Sequence, residues 1–185
     1  MSGTLSVVPG PTPLAWQMSS SATPRWYAAY TCVHHEKRIL QQLTERNIDG
    51  FVPLYRSVRR WKDRRKELDL VLFPGYVFVR IPLQQRLRVL QVPGVVTFVN
   101  FNGLPTPLPD GEVEALRKAS AQGVFAEPHP YLKTGRRVLI RNGPFTGIGG
   151  VLLRKKDKYR FVLSIEMIMR SVAIEMDAAD VEALL

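Results

Sequence analysis

The sequence predicts an α+β protein in two parts, a mixed N-terminal domain of strands and helices followed by a small all-β domain. Three observations carry this. Residues 26–119 alternate between short aromatic or β-branched runs and stretches with helical spacing, such as Ile39, Leu40 and Leu43. Residues 120–131 (SAQGVFAEPHPY) contain Gly123, Pro128 and Pro130, the composition of a linker. Beyond them lie only short β runs separated by turns, and such strands at regular spacing over about 55 residues suggest a small barrel. A chain of 185 residues has room for one ordinary domain or two small ones. The expected boundaries are 1–24 for a tail, 25–119 for the first domain, 120–131 for the linker and 132–185 for the second domain.

Taken in order, residues 1–24 are rich in Ser, Thr, Pro and Gly and carry no charged side chain, which reads as a disordered tail. Residues 26–32 (WYAAYTC) are strand-like, and 33–47 form a helix that Asp49-Gly50 ends as a turn. Strands are expected at 51–61, 68–73 and 76–81, the last with clear alternation (YVFVRI). A short helix at 84–91 leads to a strand at 95–101, closed by Asn102-Gly103, a strong tight-turn signal. Residues 110–119 read as a helix, with Asp110, Glu112 and Glu114 near its positive N-terminal end. The second domain offers strands at 136–141, 150–155, 159–165 and 170–176, with turns at Asn142-Gly143-Pro144 and at 156–158. Gly147-Ile148-Gly149-Gly150 lies between β segments rather than opening a helix. It therefore suits a tight turn and a bulge, not a phosphate loop.

Charge is the first guide to function. The net charge of +10 favours a polyanionic partner. It concentrates in residues 56–66 (RSVRRWKDRRK), where Arg56, Arg59, Arg60, Lys62, Arg64, Arg65 and Lys66 face one acid, Asp63, for a net +6 in eleven residues. By pattern this is a hairpin tip between the second and third strands. Guanidinium groups pair with phosphate oxygens, and Trp61 can stack on a base. The alternative is a solvated tip, but like charges this close repel, which favours a partner anion. His34, His35, Lys37 and Arg38 line a basic helix start, either a further nucleic-acid contact or a solvated face. His34-x-Glu36 has the spacing of a zinc deaminase helix, but the matching P-C-x-x-C is absent, so neither metal nor cofactor is expected.

Cys32 is the only cysteine. It cannot form an internal disulfide, which fits a reducing cytoplasm, and in its apolar run it reads as a small core residue. No positive region opens a secretory signal, and no apolar stretch approaches the roughly 18 residues that span a bilayer, so no membrane partner is expected. A Ser/His/Asp set, a P-loop and a spaced carboxylate pair are all missing, which points to a monomeric binding protein without catalytic chemistry of its own. The most distinctive stretch is 72–79 (LFPGYVFV), where Pro74-Gly75 forces a bend among aromatics. Phe73, Tyr76 and Phe78 suit a core. Alternation also puts Tyr76 and Phe78 on one face and Val77 and Val79 on the other, so that one face packs on helices while the other shows an aromatic patch to a partner.

Several ordered segments together resemble the NusG family of transcription factors. They are Trp26-Tyr27, Glu36-Lys37-Arg38, the LFPGY run from Leu72 to Tyr76, Pro93-Gly94-Val95 with Phe98-Val99, and Pro105-Thr106-Pro107-Leu108. RVLIRNGPFTGIGGV, from Arg137 to Val151, is similar to a KOW motif. The resemblance implies an antiparallel N-terminal sheet flanked by helices, then an SH3-like five-strand barrel. It also implies a first domain that binds the clamp region of RNA polymerase and favours the processive state over the paused one. The family's aromatic polymerase-binding patch falls on Tyr30, Phe73, Tyr76 and Phe78, and the basic hairpin would meet non-template or upstream DNA.

Residues 164–171 (SIEMIMRS) depart from the family's S-I-F-G-R. At that loop the family's barrel meets ribosomal protein S10 or Rho. Ile165, Met167, Ile168 and Met169 there either offer an apolar partner surface or pack in the core. The departure and the strongly basic hairpin look closer to specialised paralogs of the RfaH and UpxY kind, which suppress termination on selected operons, often for surface polysaccharides. The rivals are a general NusG, acting in elongation and with Rho, and a ribosome-associated KOW protein.

Overall fold

The computed structural model describes residues 23–61, 64–124, 126–129, 135–155, 158–165, 168–176 and 180–183. Residues 1–22 of the expected tail lie outside the described residues, as do Lys62 and Met167 from the candidate sites. The N-terminal half runs β1 (Arg25–Thr31), α1 (Glu36–Glu45), β2 (Asp49–Phe51), β3 (Leu54–Trp61), β4 (Arg64–Val71) and β5 (Tyr76–Ile81). A 3-10 turn (Leu83–Gln85), α2 (Arg86–Leu90), β6 (Val95–Phe98), β7 (Asn100–Phe101), β8 (Leu104–Pro105) and α3 (Asp110–Ala121) follow. The C-terminal half contains β9 (Ala126–His129), β10 (Arg136–Ile140), β11 (Gly149–Lys155), β12 (Lys158–Ile165), β13 (Arg170–Met176) and β14 (Val181–Ala183).

The first half is built on an antiparallel sheet in the order β2-β5-β1-β6. Strand alternation gives it two apolar faces. Tyr27, Ala29, Val77 and Val79 on one face join Ile39 and Leu43 of α1 and Val89 of α2 in one core. Trp26, Ala28, Tyr76 and Phe78 on the other face join Val113, Leu116 and Ala119 of α3 in a second core. Each such aliphatic side chain fully withdrawn from water contributes about 1.5–3 kcal/mol. Trp26 pins α3 by a polar contact as well: its indole Nε1–H donates to Glu114 Oε1 at 3.0 Å, and the Arg117 guanidinium lies 5.6 Å from its ring centroid. The expected strand over 51–61 is divided at Pro53. β2 pairs with β5, while β3 leaves the sheet to form a separate hairpin with β4. Proline has no N–H for a ladder, but its carbonyl accepts from Leu72 N–H at 2.8 Å and holds the base of that hairpin. The tight turn at Asn102-Gly103 is present, with φ of 52° and 80°, the left-handed pair that a two-residue hairpin turn requires.

The second half is one antiparallel sheet in the order β14-β10-β11-β12-β13-β9. Among the described residues it has six strands, against the five expected, because residues 126–129 inside the expected linker pair with β13. Pro128 sits within β9, and an edge strand tolerates a proline that cannot donate on its outer side. Gly150 has a packing role: a Cβ there would overlap the Phe161 ring and lie 2.7 Å from the Val162 carbonyl oxygen. β11 thereby lies close against β12.

Candidate functional site

The turn between β4 and β5 organises the aromatic residues. Tyr76 N–H donates to Phe73 O at 3.2 Å, closing a four-residue turn with Pro74 second and Gly75 third. Gly75 has φ of 83°, the left-handed value that the third position of a type II turn demands and glycine adopts without strain. Both polar groups of Gly75 are engaged. Its carbonyl accepts from Thr31 N–H at 2.9 Å, and its N–H donates to Glu36 Oε1 at 2.7 Å. Glu36 is the first residue of α1 and is 2% exposed. It is the site residue that the sequence reading missed as a positioning group. Glu36→Ala leaves the Gly75 N–H buried without an acceptor and is expected to lower stability by about 1–3 kcal/mol. Glu36→Gln keeps an acceptor oxygen and should recover much of the loss. Urea midpoints of the two variants measure the difference, and an unchanged midpoint for Glu36→Ala would show that the contact is dispensable.

The antiparallel register of β1 and β5 sets Tyr30 opposite Tyr76 and Ala28 opposite Phe78. The tyrosine rings lie 4.6 Å apart, and the Tyr76 hydroxyl donates to Tyr30 Oη at 2.7 Å. Phe73 meets Phe78 edge to face at 5.9 Å. The four aromatic residues proposed from sequence therefore form two contacting pairs on neighbouring strands and their turn. Burial, and then the hydrogen bond with Tyr30, push the Tyr76 hydroxyl above the usual tyrosine range, while Arg170 opposes the shift. It remains a neutral donor at any ordinary pH.

The aromatic face is covered rather than open. Phe73, Tyr76 and Phe78 are 1%, 3% and 0% exposed, and only Tyr30, at 45%, reaches solvent. The cover comes from α3 and from the C-terminal sheet. The main-chain carbonyl of Ile168 lies 3.4 Å from the Tyr76 hydroxyl, and Ile165 and Ile168 share one core with Phe73 and Tyr76. Ile165 and Ile168 are buried, whereas Met169 is 55% exposed with φ of 51°. Two surfaces that sequence reasoning assigned to different partners thus meet each other.

The basic residues divide into two groups. His34, His35, Lys37 and Arg38 are exposed around the start of α1. Lys37 Nζ donates to the Asp69 carbonyl at 2.7 Å, which ties this helix start to the base of the β3–β4 hairpin. Arg56 is opposite Asp69 in register and lies 3.5 Å from Glu67 and 4.0 Å from Asp69, so its charge is matched. Toward the tip the register sets Arg59 opposite Lys66, Arg60 opposite Arg65 and Trp61 opposite Arg64. Like charges directly opposite destabilise a sheet. Cys32, expected in the core, is exposed instead. The ladder shifts between Tyr30 and Thr31, Thr31 becomes the buried residue, and the strand ends there. Among the described residues, no group of three His, Cys, Asp or Glu side chains is placed to hold a metal ion, and no helix is long and apolar enough to cross a membrane.

A helix-backed sheet with an aromatic turn, a basic hairpin and an appended β-sheet define a two-part protein suited to engaging macromolecules. Residues 24–117 match the family model described as transcription termination factor nusG, and the chain belongs to the NusG family. It is 26% identical over 172 residues to a transcription termination/antitermination protein NusG of Pseudomonas aeruginosa, covering 85% of this chain and 97% of that one. The NusG of Vibrio cholerae is 26% identical over 181 residues, with 90% and 100% covered. Among solved structures, one titled for domain interaction in Thermotoga maritima NusG superposes with a TM-score of 0.54 at 22% identity, over 89% of this chain and 99% of that chain. That likeness establishes the shared fold.

Proposed function

We propose that this chain is a transcription elongation and antitermination factor. It binds the clamp region of RNA polymerase through Tyr30, Phe73, Tyr76 and Phe78, and touches DNA of the elongation complex through its basic hairpin. The observation that carries this is the assembly of those four aromatic residues on one turn and strand pair, in a chain of the NusG family. Because three of the four are buried beneath α3 and the C-terminal sheet, binding requires the Ile165–Ile168 side of that sheet to move away. Contacts of Ile165 and Ile168 with ribosomal protein S10 or Rho would need the same opening, since both are buried and the exposed residues among those described in this loop are Met169 and Arg170.

The finer reading is a cytoplasmic, specialised paralog acting on selected operons. The SIEMIMRS loop and the concentrated charge of the hairpin favour it. A general role in elongation and with Rho is the second reading, favoured by the names of the relatives, transcription termination/antitermination protein.

The test is a titration of core RNA polymerase with wild type and Tyr30→Ala, the one aromatic position whose replacement leaves the packed core in place. Loss of an aromatic anchor is expected to weaken binding by about 2 kcal/mol, roughly thirtyfold. A folded variant with wild-type affinity would remove the patch from the interface. Transcription across a Rho-dependent terminator then separates the finer readings: the specialised factor raises read-through, whereas the general one promotes release. Co-sedimentation with ribosomes and no affinity for polymerase would instead support a ribosomal KOW protein.

A further inference from the structure

We infer that the β7–β8 hairpin is a second contact with RNA polymerase, a rigid apolar plug that seats in an uncharged pocket of the enzyme beside the surface that Tyr30 meets. The inference rests on the polymerase reading above and adds a contact outside the aromatic cluster. The base of the hairpin is fixed in the N-terminal half. Val99 N–H donates to Ala28 O at 2.8 Å and Leu108 N–H to Trp26 O at 2.8 Å, and both Val99 and Leu108 are buried. Thr106 N–H donates to Val99 O at 3.3 Å across the two arms. Beyond them the Asn102-Gly103 turn sets the backbone and puts Phe101 directly opposite Leu104. These two side chains stand in solvent, 68% and 66% exposed.

Single apolar side chains on a surface are ordinary, and Leu87, exposed between Arg86 and Arg88, is one. The hairpin differs in three respects. Its apolar pair stands on ordered backbone, so little conformational freedom is lost when a partner buries it. It lies in a stretch without charge: residues 89–109 contain no Asp, Glu, Lys, Arg or His, in a chain of net charge +10. A surface that binds phosphate or an acidic protein face carries cations, whereas a neutral one complements an apolar pocket. The hairpin is also continuous with Tyr30. β6 is the edge strand of its sheet, and its exposed Thr97 stands opposite Tyr30. The four residues of chain from Thr97 to Phe101 span at most about 14 Å. A protein interface of ordinary size buries about 800 Å² on each partner, a disc of about 16 Å radius. A polymerase surface centred on Tyr30 and Thr97 therefore reaches the hairpin tip. The tip is open while Phe73, Tyr76 and Phe78 are covered, so the covered chain already presents it.

The test is a titration of core RNA polymerase, free of nucleic acid, with the full chain. Phe101→Ser/Leu104→Ser should weaken binding by about tenfold, and by the same factor across a salt series, because no charge is lost. Thermal stability should hold, since both side chains are exposed. Phe101→Leu/Leu104→Met keeps an apolar tip and should retain most of the affinity, which keeps the test decisive if serine disturbs the turn. Leu104→Lys and Leu104→Glu should both weaken binding; tighter binding by either would mean a charged partner surface and overturn the proposal. Tyr30→Ala separates the two readings. If Tyr30→Ala binds more weakly and the serine variant binds as wild type does, the hairpin contact falls and the polymerase reading stands. If wild type does not bind the core enzyme, both fall. A loss confined to assembled elongation complexes would put nucleic acid at the tip. A wild-type dimer in sedimentation that the serine variant abolishes would make the occupant a second copy of this chain. Either result overturns the proposal.

Discussion

Ile168→Asp is expected to tighten binding to core RNA polymerase by about tenfold or more, a gain of function from a buried substitution. Ile168 is 3% exposed, and its main chain closes over the Tyr76 hydroxyl. Losing a buried aliphatic side chain costs about 2–5 kcal/mol, and a carboxylate in its place adds a desolvation penalty. The covered form carries that loss, and so the uncovered form gains population. Apparent affinity rises in proportion to the binding-competent fraction, up to the limit at which that fraction reaches one. The measurement is a polymerase titration with wild type and variant, beside circular dichroism to confirm that the C-terminal strands persist. Unchanged affinity in a folded variant would mean that the cover does not limit binding. Weaker affinity would mean that Ile168 itself belongs to the polymerase contact.

The second large effect concerns the tip of the β3–β4 hairpin. Neutralising Arg59, Arg60, Arg64 and Arg65 together should lower the salt slope of binding to an assembled elongation complex by about 0.7–0.9 per residue. Affinity for core polymerase free of nucleic acid should be nearly unchanged, because the aromatic cluster lies at the other end of β4. The register adds a readout that a structural role could not mimic. Arg59/Lys66 and Arg60/Arg65 are like-charged pairs, so the variant should be at least as stable as wild type while binding less well. Equal slopes would reduce the tip to a solvated loop end. An equal loss on both targets would mean that the hairpin meets an acidic protein surface.

Much of the local structure was legible in the sequence, because local structure follows from short-range sterics and periodicity. β5 occupies the residues that alternation assigned to it, Tyr76–Ile81, and β13 those read as a short β run, Arg170–Met176. Pro74-Gly75 and Asn102-Gly103 turn as expected, since only a few residues accept positive φ. The resemblance to the NusG family rested on the same short motifs, and residues 24–117 bear it out.

What the sequence could not settle were relations between distant segments. Alternation separated Tyr76 and Phe78 from Val77 and Val79, but it carries no information about what lies over each face. That depends on where residues some ninety positions later return, as in the contact of Tyr76 with Ile168. The same holds for Glu36, whose carboxylate holds a turn 39 residues away, and for β9, a proline-containing run that becomes a strand only because β13 offers an edge. The sequence by itself determined the excess of positive charge, the tight turns and most of the strands, and its ordered motifs carried the resemblance to the family. Tertiary packing alone decided that the aromatic cluster is covered and that Glu36 holds the Gly75 turn, because each is a long-range pairing that no local preference encodes.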